Sequence, residues 1–194
     1  MTSIVGFTPK QQTIEGLCAF LVELHPRANI ELVQRAYAFA EEAHRGQRRS
    51  SGEPYITHPL AAAYTLAEMH LDESIIAATL LHDVPEDTTR TLEDIEREFG
   101  NDIASMVAGI TKLGKIKYRG MERYIENLRK MFLAMAADVR VVFIKFADRL
   151  HNLETLHHVP PKKQYRIALE SLEIYAPIAN RLGMGDMKGR LEDT

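Results

Sequence analysis

His82 and Asp83 stand side by side behind a strongly apolar run, Ile75 to Leu81, and Glu86, Asp87 and Thr88 follow closely. An apolar run marks a buried segment, and a buried charge is costly unless it is paired or bound to a cation. An imidazole next to a carboxylate at such a position points to a metal site. Two other stretches offer partners: Tyr55-Ile56-Thr57-His58-Pro59 upstream, and Lys145-Phe146-Ala147-Asp148-Arg149-Leu150-His151-Asn152 downstream. His58, His82, Asp83 and Asp148 together form an N/O donor set. Such a set suits manganese, iron, zinc or magnesium better than a thiolate-loving metal. On an ideal helix His82 and Asp83 point about 100° apart, so both reach an ion lying between their directions.

Each residue also has a plainer reading. His58 beside Pro59 can simply orient a helix start. Asp148 beside Arg149 can form an exposed ion pair. His44, His70, His151, His157 and His158 lack a comparable context and read as structural or surface residues. The combination, rather than any one member, carries the case. Glu86 and Asp87 follow the His-Asp pair by three and four residues, so a continuing helix would bring them near the same face. They are then candidates to orient or deprotonate an attacking water. The alternative is a pair of solvated acids in a turn. In the loop before His58, Arg49 can stack on a base or pair with a phosphate, and Ser50 and Ser51 can hydrogen-bond either. A solvated basic loop is the usual alternative. The same choice applies to Lys112, Lys115, Lys117 and Arg119. There is no Walker-type phosphate loop or dinucleotide fingerprint.

The elements that must position these residues read as helices. Apolar residues recur at helical intervals from about Thr13 to Leu24, and Asn29 can cap a helix running to about Ala43. His44 to Pro54 reads as a loop. Pro59 suits the first turn of a helix to about Met69. Asp72 caps the next, which is apolar nearly all round and so central. Thr91 to Asp94 has the form of a helix start and Gly100 of a stop. Further helices are expected over 103–113 and 122–135. Val139 to Phe146 favours strand by propensity. It runs without a turn signal into Ala147-Asp148-Arg149-Leu150, so one long buried helix is predicted. A last helix pair is expected over 163–182. The fold class is all-α, with one domain over residues 1–194.

The chain has 194 residues, 45% of them hydrophobic, enough for a sizeable core. Its net charge of -3 argues against direct nucleic-acid binding. Cys18 is the single cysteine, which excludes an intrachain disulfide and suits a reducing compartment. No signal peptide is read at the N-terminus, and no apolar stretch is long enough to span a bilayer. A cytoplasmic protein with no membrane association is expected.

Taken in order, these segments resemble the hydrolase domain of the RelA/SpoT-homologue family, a branch of the HD-domain metal phosphohydrolases. The matching stretches are Ser51 to Ile56 with His58-Pro59-Leu60, Leu80 to Val84 with Glu86-Asp87-Thr88, and Gly109 to Leu113. Asn127 to Met131, Lys145 to Leu153 and Glu173 to Ala179 complete the set. The resemblance implies an HD-domain bundle of about ten helices that binds one manganese ion, Mn2+. It implies hydrolysis of the 3′-pyrophosphate of the alarmone (p)ppGpp to GDP or GTP and pyrophosphate. Carried over residue by residue, the metal ligands are His58, His82, Asp83 and Asp148. Glu86 and Asp87 match the acidic pair that handles water. Arg49 matches the arginine that packs on guanine, and Ser51, Asn152 and Thr155 match positions lining the nucleotide site.

The chain departs from the family pattern in three places. Ser50 stands where lysine is common, Gly189 where tryptophan is usual, and Pro85 where valine stands in the signature itself. Proline biases Val84 away from helical angles, so the helix is expected to end near Val84 and leave Glu86 and Asp87 on a bend. Ser50 motivates a second reading, a related phosphohydrolase acting on another nucleotide such as NADPH. Pro85 and the early end of the chain motivate a third, a non-catalytic regulatory module that binds nucleotide and signals to a synthetase domain. Long family members continue into a synthetase domain, with residues from about 175 onward forming the helix that leads there. A piece of such a protein is therefore expected here, rather than a stand-alone hydrolase.

Overall fold

The computed structural model describes residues 12–114 and 121–194, so Lys115, Lys117 and Arg119 lie outside the described residues. The fold is all-α. Among the described residues, the only β pairing is an isolated bridge between Arg48 and Pro54. The helices are α1 (Ile14–Leu24), α2 (Ile30–Ala43), α3 (Thr57–Glu68), α4 (Glu73–Leu81), the single turn α5 (Val84–Asp87) and α6 (Leu92–Phe99). They continue with α7 (Asn101–Gly114), α8 (Met121–Ala137), α9 (Val139–Glu154), α10 (Pro161–Glu170), α11 (Ala176–Arg181) and α12 (Gly185–Asp193).

Local chemistry sets the starts. Thr13, Asn29, Asp72 and Asp138 each accept a backbone N–H at the head of α1, α2, α4 and α9. Thr91 and Asp94 close a reciprocal capping box on α6, and Gly100 ends that helix with φ of +84°, a conformation that favours glycine. α4 is the hub. Ile75 through Leu81 are all buried, and the helix packs against α2, α3, α7 and α9. Leu80 and Leu81 are fully enclosed; burial of each stabilises the fold by about 1.5–3 kcal/mol.

The run with strand propensity, Val139 to Phe146, is helical and continues to Glu154. Packing against α3, α4, α7 and α8 outweighs the modest preference of β-branched residues for extended backbone. α7 approaches α9 closely: a Cβ added at Gly109 would sit 2.8 Å from Val141 Cγ2.

Two expectations need correction. The chain does break at the signature, but before Pro85 rather than at it. α4 stops at Leu81, His82 and Asp83 form the joint, and Pro85 enters the first turn of α5. A first turn has no intrahelical use for the missing N–H, so proline is at home there. The C-terminal part does not continue as one helix from 175 onward, although the pair expected over 163–182 is present as α10 and α11. α10 and α11 form one run joined by a π turn at Ser171–Tyr175. Pro177 lies just beyond that turn; its ring would clash with the carbonyl of Glu173 in a regular helix, and the widened turn relieves this. The chain then reverses at Gly183, φ +73°, before α12, so residues from 175 onward do not make a single helix.

Candidate functional site

Three elements bring the donor groups together. His58 comes from the first turn of α3, His82 and Asp83 from the joint after α4, and Asp148 from the middle of α9. One ligand atom from each of His58, His82 and Asp148 lies within 4.8 Å of the others, and all three residues are buried. This group could hold a metal ion. Asp83 is outside that trio but adjacent to it. Its Oδ1 is 3.1 Å from His82 Nε2, and its Oδ2 is 3.7 Å from His58 Nε2.

Hydrogen bonding tests whether the residues fit a cation. His82 Nδ1 is 2.7 Å from the Thr79 carbonyl oxygen, which can only accept. Nδ1 therefore donates, and Nε2 is the ring nitrogen turned inward. That atom is buried and has no hydrogen-bond partner, with a carboxylate oxygen facing it. A nitrogen and a carboxylate oxygen facing each other in this way are a donor pair that a cation could share. The backbone carbonyl that fixes the tautomer is the usual outer support of a metal-bound imidazole. The donor set fits.

The surrounding groups hold these ligands in place. Asp148 accepts from Lys145 Nζ at 2.6 Å on one oxygen and from Asn152 Nδ2 at 2.6 Å on the other, and His58 Nε2 lies 3.2 Å away. Burial alone would raise the Asp148 pKa, but Lys145 and the imidazoles hold it well below the usual carboxylate range. Burial lowers the pKa of His58, keeping it neutral. His58 Nδ1 meets His151 Nδ1 at 2.7 Å. Burial, with His58 and Arg49 nearby, brings His151 down to about 3.

Of the two readings open for His151, structural or surface, the structural one holds: its ring meets that of the candidate ligand His58. Tyr55 and Lys145 were also not singled out by the sequence, and both touch proposed ligands. The contacts of His151 and Tyr55 cross between elements, which local spacing does not reveal, whereas that of Lys145 lies within α9. Helical spacing offers one retrospective clue: Lys145, Asp148 and Asn152 share a face of α9 at i, i+3 and i+7.

Glu86 and Asp87 lie in α5, next to the joint rather than on a loose bend. Asp87 Oδ2 is 2.7 Å from Tyr55 Oη, and its backbone carbonyl accepts from Gln47 Nε2 at 2.7 Å. Burial raises the pKa of Glu86, and the charges of Asp83 and Asp87 add to this against Lys145 and Thr111.

A cleft of about 440 Å³ opens over Asp148. Arg49, Ser51, Asn152 and Thr155 all line it, as does Ser50. Arg49 Nη2 donates to Asn152 Oδ1 at 3.0 Å and Thr155 Oγ1 at 3.4 Å, so three of these residues already touch. The lining also includes Arg48, Lys163 and Arg166, cations that the sequence alone did not single out. Their distribution over a loop and α10 hides the patch in a chain whose net charge is -3.

Residues 36–185 match the HD-domain family. The bifunctional (p)ppGpp synthase/hydrolase SpoT of Escherichia coli K12 is 52% identical over 180 residues, covering 92% of this chain and 26% of that protein. A probable GTP pyrophosphokinase of Mycobacterium leprae is 49% identical over 180 residues, covering 93% of this chain and 23% of its own length. The chain thus spans about a quarter of the length of these curated relatives. A solved structure, described as a metazoan ortholog of SpoT that hydrolyzes ppGpp, superposes with a TM-score of 0.66 at 26% identity. It covers 84% of this chain and 92% of its own.

Proposed function

Because the chain belongs to the HD-domain family, we propose that it is a metal-dependent hydrolase. It removes the 3′-pyrophosphate of (p)ppGpp and leaves GDP or GTP and pyrophosphate. The observation that carries this reading is the buried, inward-turned Nε2 of His82 beside a cleft lined with cations. The likeness to SpoT and to the ppGpp-hydrolysing metazoan structure supports the choice of substrate.

His58, His82, Asp83 and Asp148 would hold the ion, for which manganese is proposed, one per chain; the N/O donor set suits it. A bound divalent cation supplies positive charge beside the reacting phosphorus and makes water a competent nucleophile near neutral pH. Lys145 keeps Asp148 ionised for this task. Glu86, with its raised pKa, takes a proton from the attacking water, while Asp87, held by Tyr55 and Gln47, orients it. The water oxygen bonds to the phosphorus next to the 3′ oxygen. The P–O3′ bond breaks, the ribose oxygen takes up a proton, and pyrophosphate leaves. Arg49 would pack on the guanine, with Ser51, Asn152 and Thr155 along the nucleotide. Arg48, Lys163 and Arg166 are placed to offset phosphate charge.

A cytoplasmic setting, where such a nucleotide is made and consumed, fits this reading. In a longer protein the residues would form one hydrolase unit joined to a synthetase. The third reading, a non-catalytic module, keeps only one of its two motives: Pro85 is accommodated in α5, and Asp87 stands beside the candidate ligand group.

The test is release of pyrophosphate from ppGpp by the purified chain with manganese. His82→Ala should abolish it, and turnover that survives thorough chelation would sink the proposal. Ser50 lines the cleft, so NADPH is assayed alongside; a preference for NADPH would move the substrate assignment to that nucleotide.

A further inference from the structure

The Tyr55 hydroxyl stands 2.8 Å from Asp83 Oδ2 and 2.7 Å from Asp87 Oδ2. Asp83 is a proposed ligand and Asp87 a proposed water-orienting group, and this one oxygen touches both. A phenol has a single proton to donate. Burial and the two carboxylates push its pKa up, so that proton stays on. The ring is held from behind. His44 stacks on it at 4.4 Å between centroids and 14° between planes, and Arg49 lies over it at 5.9 Å. His44 Nδ1 donates to Gln47 Oε1 at 2.9 Å, and Gln47 Nε2 donates to the Asp87 carbonyl at 2.7 Å. His44, Gln47 and Tyr55 thus form a bracket that grips Asp87 by both its side chain and its backbone. The bracket spans the joint where the chain breaks between α4 and α5. The same joint is closed on the backbone side by the Glu86 and Asp87 N–H groups, which donate to the Asp83 carbonyl at 3.2 and 3.0 Å.

From this geometry we propose that Tyr55 is a positioning residue: its hydroxyl sets the spacing between the ligand Asp83 and the water-orienting Asp87, with His44 and Gln47 holding it in register. The inference rests on the hydrolase reading above and extends it to the hydroxyl of a residue that also lines the cleft. With a cation beside Asp83 the negative charge there is offset, and the phenol proton goes to Asp87. Support of this kind around a ligand is worth about 10–100-fold in metal affinity or activity.

The experiment uses Tyr55→Phe in the full chain, which deletes the hydroxyl and keeps the ring on His44. Thermal unfolding checks that the variant folds. Manganese affinity, read by calorimetric titration, should fall by about tenfold. At saturating manganese, kcat for ppGpp should fall by about tenfold while KM stays within about twofold, because Tyr55→Phe keeps the ring that lines the cleft. Combining Tyr55→Phe with Asp87→Asn should cost no more in kcat than Asp87→Asn alone, since both remove one link. Unchanged metal affinity, or additive losses in the double variant, overturns the proposal. If the wild-type chain binds manganese but turns over no nucleotide, the hydrolase reading falls; metal affinity of Tyr55→Phe then decides the positioning role by itself.

Discussion

Glu86 and Asp87 are neighbours with different surroundings, and the difference supports the roles proposed for them. Asp87 is tied by Tyr55 and Gln47, which suits a group that orients. Glu86 is raised by burial, with Asp83 and Asp87 adding to the effect, which suits a group that takes up a proton. A base acts only when ionised, so the rate is lost as pH falls through its pKa. With that pKa raised, the acid limb of a kcat–pH profile should lie above the ordinary glutamate value of about 4.3. Glu86→Gln should remove that limb and lower kcat by about 10²–10⁴; an unchanged limb would show that another group titrates. At this scale the sequence reveals donors and hides supports. His58, His82, Asp83 and Asp148 stand out because imidazoles and carboxylates beside apolar runs are rare and costly. His151 does not, because its meeting with His58 at 2.7 Å joins helices far apart in sequence. Tyr55 stands next to His58 in its motif, but its pairing with Asp83 and Asp87 exists only once the loop folds back over the joint.

At the scale of elements, caps and breakers were legible and joints were not. Asn29, Asp72, Thr91 and Gly100 mark helix ends at the expected places because a cap is a contact within a few residues. Pro85 is a breaker in the sequence, yet in the structure it begins a helix rather than ending one. Its restricted φ suits the first turn, and the site acids gain a short rigid mount. Pro85→Ala should therefore change stability by less than about 1 kcal/mol, the usual scale for proline at a compatible position. It should also leave ppGpp hydrolysis near the wild-type rate; chemical denaturation and a rate assay check both. A large loss of activity would mean that proline itself holds Glu86 and Asp87. The widened turn before Pro177 was not legible either, since an extra residue in a helical turn leaves the apolar period nearly intact.

At the scale of the molecule, the candidate metal centre ties the consecutive helices α3 and α4 to the distant α9, all three mutually packed. An ion that binds only the folded arrangement must stabilise the whole. At a free concentration about a hundred times its dissociation constant, it adds about 2.7 kcal/mol. For a chain of this size, that raises the unfolding midpoint by about 5–10 °C. Differential scanning calorimetry with manganese and then with chelator should show this shift, and His82→Ala should lose it. The all-α class and central α4 were readable because burial all round one helix leaves a plain apolar signature. The basic cleft was not, because Arg48, Lys163 and Arg166 converge only in space. The joint between α4 and α5 has a further consequence, for inheritance. Ligands and acids sit on opposite sides of a chain break, so mutation can erode one side and spare the other. A descendant altered in α5 alone would keep its ion and its nucleotide while losing turnover. An enzyme of this plan therefore lies a few substitutions from a receptor for its own substrate.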